Sequence, residues 1–180
     1  MAVLFWSACK LHSPEPDLSW FRADTLQLQP SGGIFYFHGH PFTGRVFSCY
    51  KGANDTLEVQ QYLHGKEHGA WKKFFPDNHL QEIRYFSHGK KEGMYETWWS
   101  NGQKRLSYQF ENDEYEGACR EWNERGLLIK DMHYEKGHEA GLQRVWYDNG
   151  KIKSNYQLIN GRRYGLLGTK NCTNVGDSIQ

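Results

Sequence analysis

The chain of 180 residues contains no uninterrupted apolar run near the roughly 18 residues that a membrane-spanning helix requires. It also lacks a charge of one sign: 22 Lys and Arg stand against 21 Asp and Glu, for a net charge of +1. That balance removes the electrostatic case for a nucleic-acid partner, because phosphate binding rests on a basic excess. Its four cysteines, Cys9, Cys49, Cys119 and Cys172, show no Cys-x-x-Cys or other zinc spacing, so no structural metal is expected. Gly-x-Ser-x-Gly, the phosphate loop and the dinucleotide fingerprint are all missing. The motifs therefore point to no catalysis and to no cofactor.

What is present is period. Glycines recur at Gly44, Gly69, Gly93, Gly117, Gly141 and Gly165, 24 or 25 residues apart. A second column holds Gly102, Gly126 and Gly150, with Asn78 in the same place one unit earlier. A third reads Tyr62, Phe86, Phe110, Tyr134 and Leu158, and a fourth Phe74, Trp98, Trp122 and Trp146. Four columns in phase over about a hundred residues define a repeat array.

Each unit reads as a hairpin. The anchor glycine opens an aromatic-rich run, such as Gly93 to Trp99, that favours a strand. Asn101-Gly102 and Asn149-Gly150 then suggest two-residue turns with positive φ at both central positions. A second strand, for instance Arg105 to Phe110, runs to a second turn at His64-Gly65, His88-Gly89, Lys136-Gly137 or Asn160-Gly161. Two strands and two turns use all 24 residues and leave no room for a helix. The expected fold is all-β: an open, twisted, single-layer antiparallel sheet of about 11–12 hairpin strands, meandering from about Phe35 to Leu167.

The residues that carry the period (Gly-x-Trp/Tyr-x-x-Trp, Asn-Gly, then Tyr-x-x-Gly-x-x-x-Gly) resemble the variant MORN repeat, from "membrane occupation and recognition nexus". Within that family the chain is similar to bacterial proteins often labelled antitoxin-like. The resemblance spans roughly 130 residues and implies a β-hairpin scaffold. The antitoxin label implies a toxin-neutralising role. Two units depart from the pattern: Gly39 to Leu57 has an extra residue and no Trp. A later unit has Asp113 for the turn glycine and Asn123 for an aromatic.

The aromatic columns are the most informative surface feature. Side chains alternate across a strand, so Phe74, Trp98, Trp122 and Trp146 share one face, with Trp99 and Tyr147 on the opposite phase. The column is either the packing core of a one-layer sheet or a strip that receives a partner strand, helix or lipid surface. The candidate binding residues are Trp71, Tyr95, Trp98, Trp99, Trp122, Trp146 and Tyr147. The structural repeat positions are Gly69, Gly93, Gly117, Gly141, Gly165, Gly102, Gly126 and Gly150. Nine histidines raise metal binding, but turns of adjacent hairpins stand about 10 Å apart, too far for His64 and His88 to share an ion easily. His64 and His68, within one unit, could. Cys119 lies on a strand column with Trp71 and Tyr95 and reads as a half-buried residue, and Cys172 as a packed tail thiol or a reactive one near Lys170.

Three segments follow. Residues 1–33 carry three of the five prolines and no repeat signal; Leu18, Phe21, Thr25 and Leu28 suggest a short amphipathic helical turn. The apolar start ending Ser-Ala-Cys9 resembles the end of a lipoprotein signal, which would make Cys9 a lipidation site and 10–33 a tether. A bacterial envelope lipoprotein and a cytoplasmic protein both remain open. Residues 34–167 form the array of five to six units, and 168–180 a tail. The expected function is a non-enzymatic binding or scaffold protein that offers an aromatic face to a protein or membrane-associated partner. The alternatives are a toxin-neutralising protein and a thiol- or metal-handling envelope protein using Cys172 with nearby histidines.

Overall fold

A computed structural model describes residues 18–168 of the chain. Among them there is no helix, and so none long and apolar enough to cross a membrane. The main sheet runs as an open path of twelve strands, from Trp20–Arg22 at one edge to Arg162–Leu166 at the other. It is antiparallel throughout except for its first pair, where Trp20–Arg22 lies parallel to Gly44–Cys49. The expected all-β hairpin sheet is therefore the fold, and it does not close into a barrel.

Within a unit, a six-residue strand pairs with an eight-residue one. Gly93–Trp98, for example, pairs with Lys104–Glu111 so that Gly93 faces Phe110, Tyr95 faces Tyr108 and Thr97 faces Leu106. Between units the ladder thins to two pairs, such as Leu106 with Glu121 and Ser107 with Arg120. The gap is bridged from the tight turns. The second turn residue donates its N–H to a carbonyl one unit back: Gly65 to Phe42 (2.6 Å), Gly89 to Glu67 (2.8 Å), Asp113 to Lys91 (3.0 Å) and Gly137 to Tyr115 (2.9 Å). Side-chain oxygens take the N–H of the first turn residue, with Thr43 accepting from His64, Glu92 from Asn112 and Glu116 from Lys136. Each hairpin is thereby stitched to its predecessor, the nearest-neighbour coupling expected of a repeat array.

The two turns of a unit differ from one another. His64-Gly65, His88-Gly89, Lys136-Gly137 and Asn160-Gly161 have positive φ at both positions, and so do Asn112 and Asp113 (52° and 74°). These are the two-residue primed turns that match strand twist, and Asp113 occupies the left-handed region where its neighbours use glycine. Asn101-Gly102 and Asn149-Gly150 do not follow the sequence expectation. Only the glycines have positive φ, at 81° and 80°. Gly102 N–H donates to the Trp99 carbonyl, Trp99 N–H to the Gln103 carbonyl, and the Asn101 carboxamide oxygen accepts from Gln103 N–H. The loop is a turn followed by one left-handed residue, and the ladder shifts register at Thr97/Trp98 beside it. The asparagine holds ordinary φ because its side chain closes the turn locally.

The first end of the sheet is covered. Gln29–Ser31, Ile34–Phe37 and His40–Pro41 make a separate three-stranded sheet, so residues 35–41 leave the meander in which the sequence placed them. This small sheet delivers Phe35 and Phe37 onto a core of Phe42, Val46 and Tyr62, joined by Phe21, Leu26, Leu28 and Trp71. The helical turn expected around Leu18, Phe21, Thr25 and Leu28 is instead a strand and a loop, because Phe21 pairs beside Val46. Phe35, Phe42 and Trp71 all pack on the Tyr62 ring with centroids 5.0–5.8 Å apart, and burial pushes the Tyr62 phenol up to about 12. The described part of the segment read as a tether thus packs against the first unit. Cys9, with the lipoprotein expectation, and Cys172, with its thiol expectation, lie outside the described residues.

Candidate binding surface

Strand alternation gives the sheet a core face and an open face. The core face carries the second position after each anchor glycine together with the Tyr62–Phe86–Phe110–Tyr134 column. Trp71 packs on Phe86 (4.8 Å), Phe110 on Tyr115 (4.8 Å) and Tyr115 on Tyr134 (5.2 Å). With no second layer over most of the array, the rings cover one another: Phe110 is 6% exposed and Cys119 2%. Cys119 is more deeply buried than its strand position suggested, and burial pushes its thiol pKa up, away from reactivity.

Two residues at this second position, Trp71 and Gln143, share a task that the sequence pattern hides. Trp71 donates its indole N–H to the Gln61 carbonyl (3.0 Å), across the gap between units. Gln143, where Trp71 and Tyr95 have rings, is fully buried and donates its amide to the His133 and Ala140 carbonyls (2.7 Å each). An amide and an indole are interchangeable here because both supply a donor to a buried backbone oxygen.

The core face also holds a polar trio. The Tyr108 hydroxyl and the Lys130 ammonium (2.9 Å) both donate to Glu121. Burial alone would raise the Glu121 pKa, yet these two donors hold it below the ordinary carboxylate range. Burial first, and then the bond to Glu121, carry the Tyr108 phenol well above its ordinary value. A depressed folded-state carboxyl contributes stability that is present above its unfolded pKa of about 4.3 and is lost as pH falls through the folded value. Acid titration of the wild type should therefore show a loss of stability below about pH 4.3 that Glu121→Gln lacks. Identical acid-side slopes in urea melts of the two proteins would remove Glu121 from the linkage.

Phe74, Trp98, Trp122 and Trp146 are not the core. All four are only half-buried and lie on the open face, three positions out of phase with Trp71 and Tyr95. The seven candidate binding residues consequently divide into three groups. Trp71 and Tyr95 are core packing; Trp98, Trp122 and Trp146 form the open-face column; Trp99 and Tyr147 sit at hairpin turns. Lys104 lies 6.0 Å from the Trp98 ring and Arg144 5.6 Å from that of Trp146. These cations are themselves paired, Lys104 with Glu96 and Arg144 with Asp131, which also holds Arg120.

Trp99 has a structural use that the sequence did not announce. Its indole N–H donates to the Trp122 carbonyl (3.0 Å), joining two turns, and Arg105 stacks 4.6 Å from its ring. Tyr50 does the same two units earlier, donating to the Phe74 carbonyl at 2.6 Å. Along this turn edge lie two open grooves. One, of about 570 Å³, is lined by Trp98, Trp99, Leu80, Asp77, His79 and Asn101. The next, of about 440 Å³, is lined by Trp99, Asn123, Arg125, Ile129 and Asp148. In the first groove His79 Nδ1 meets Asp77 at 2.9 Å, and this hydrogen bond holds the Asp77 carboxyl below its ordinary range. Both side chains are more than half exposed, so the pair works in water rather than in a desolvated site.

The histidines assemble differently from the sequence reading. His68 meets His88 of the next turn, ring centroids 5.1 Å apart, rather than His64 of its own unit. Among the described residues no three His, Cys, Asp or Glu side chains could hold one metal ion.

The geometry agrees with comparison to known families. The family described as "MORN repeat variant" matches residues 67–88 and 140–160. These two stretches are MORN-variant repeats. Each is a hairpin unit, and the hairpins between them repeat the same strands and turns. No curated protein matches the chain. Among solved structures, S. aureus TarM in complex with fondaparinux, alpha-GlcNAc-glycerol and UDP aligns over 54% of this chain at 17% identity, with a TM-score of 0.32. The chain spans about a fifth of that protein's length (20%).

Proposed function

We propose that this MORN-variant array is a non-enzymatic binding scaffold that presents its open face to a protein partner through Trp98, Trp122 and Trp146. One observation carries the reading. Three indoles recur at the same position of successive hairpins, half-exposed, on the face whose packing the core does not use. Large rings kept at a solvated face contribute little to a thin core, whereas half-exposed Trp is the side chain most enriched at binding hot spots. The regular stitching between units supports the same reading, because it holds the rings on a rigid frame.

The test is capture of partners from an extract of the native host by immobilised protein. Trp122→Glu should lose the captured partner by tenfold or more, with an unchanged far-ultraviolet circular dichroism spectrum. Tyr147→Glu, at a hairpin turn, should retain it. Equal capture by wild type and Trp122→Glu would rule out the column as the binding surface.

A further inference from the structure

We infer that the tryptophan column takes a proline-rich segment in the polyproline II conformation, a reading that rests on the proposed function and narrows its ligand. The first ground is spacing. Trp98, Trp122 and Trp146 end the strands Gly93–Trp98, Gly117–Trp122 and Gly141–Trp146, and one strand intervenes between each neighbouring pair. Two interstrand steps of about 4.8 Å give a rise of about 9.5 Å from ring to ring. A polyproline II helix advances about 3.1 Å per residue and repeats every three residues, or about every 9.3 Å. One turn of such a ligand therefore matches one hairpin. An extended β-strand repeats about every 6.8 Å and falls out of step within one unit.

The second ground is hydrogen bonding. Trp71 and Trp99 both give their indole N–H to backbone carbonyls. Among the described residues, the N–H groups of Trp98, Trp122 and Trp146 have no acceptor, and all three rings remain partly open to solvent. A polyproline II backbone makes no internal hydrogen bonds, so each of its carbonyls needs a donor from outside. The column offers one donor per ligand turn, and the flat indole beside it suits a pyrrolidine ring. Two neighbouring rings make the smallest complete site. Trp122, whose ring carries no cation contact among the described residues, lies at the centre of both pairs.

Calorimetric titration of the full chain with acetylated, amidated nonaproline tests the inference, with a nine-residue Gly-Ser peptide for comparison. Nonaproline should bind saturably and at least tenfold more tightly than the Gly-Ser peptide. Trp122→Phe, which keeps a ring and removes the donor, should weaken binding about threefold to tenfold, as expected for one hydrogen bond. Trp99→Phe should leave the affinity unchanged. If Trp122→Phe does not fold, Trp98→Phe and Trp146→Phe are read by the same criterion. Nonaproline binding no tighter than Gly-Ser, or the same affinity in the column variants as in wild type, overturns the inference. So does column-dependent binding to anionic phospholipid vesicles without binding to nonaproline. If nonaproline fails while host-partner capture still depends on Trp122, the polyproline inference falls alone. If capture is also indifferent to the column, the proposed function falls with it.

Discussion

Phe110→Ala should destabilise the protein by about 3–5 kcal/mol, and Trp122→Ala by only about 1–2 kcal/mol, although the second change removes the larger ring. Phe110 is 6% exposed and sits on the core face against Tyr95 and Tyr115. Its loss leaves a cavity in a core one layer thick, which has no second sheet to relax into the space. Trp122 is half-buried on the open face, its indole N–H has no acceptor among the described residues, and the bond from Trp99 goes to its backbone carbonyl, which alanine keeps. Against a typical total of about 5–15 kcal/mol, the first change should bring the denaturation midpoint down sharply, and the second only modestly. Urea unfolding followed by circular dichroism measures both. A larger shift for Trp122→Ala than for Phe110→Ala would show that the core and open faces have been exchanged.

Gly65→Val should be far more damaging than Gly150→Val or Gly102→Val. All three glycines have positive φ, at 77°, 80° and 81°, so each substitution carries the left-handed penalty of about 1–2 kcal/mol. A Cβ at Gly102 or Gly150 meets nothing within 4 Å, so that penalty is the whole cost. At Gly65 the new Cβ would collide with the Ile34 side chain and stand 2.8 Å from the Phe35 carbonyl oxygen. Gly65 also donates to the Phe42 carbonyl and accepts from Phe35 N–H, so the collision falls where the small sheet docks on the first unit. Overpacking adds about 1–3 kcal/mol, for a total of about 2–5 kcal/mol. Thermal melts of the three variants should place Gly102→Val and Gly150→Val together and Gly65→Val well below them. A common melting temperature for all three would mean that the small sheet does not rest on Gly65.

Much of this architecture was legible in the residues. The 24-residue glycine period located every hairpin from Gly44 to Leu166, and the sites of both turns in each unit followed from it. The conformation of the Asn-Gly turns was not legible, because Asn-Gly serves both a two-residue primed turn and a longer loop with one left-handed glycine. The register shift beside Trp98 selects the second. The small sheet was missed for a related reason: residues 18–43 carry no period, and their partners, Val46, Tyr62 and Gly65, lie in the first unit. Gln143 also had no readable signal, since nothing local shows that an amide replaces the indole donor of Trp71.

The sequence by itself determined that the chain is a stack of hairpins with two aromatic phases, because strand alternation sorts residues into two faces whatever surrounds them. It could not say which phase is core. Both the Trp71–Tyr95 positions and the Trp98–Trp122–Trp146 positions are aromatic, and alternation is indifferent to which side is covered. That choice belongs to the tertiary structure. The sheet of residues 29–41 closes over the Tyr62 and Trp71 side, and on the same side Tyr62 meets Trp71 and Tyr115 meets Tyr134 across the gaps between units. The apolar area removed from water therefore accumulates on that face, and the three open-face indoles are left to the solvent.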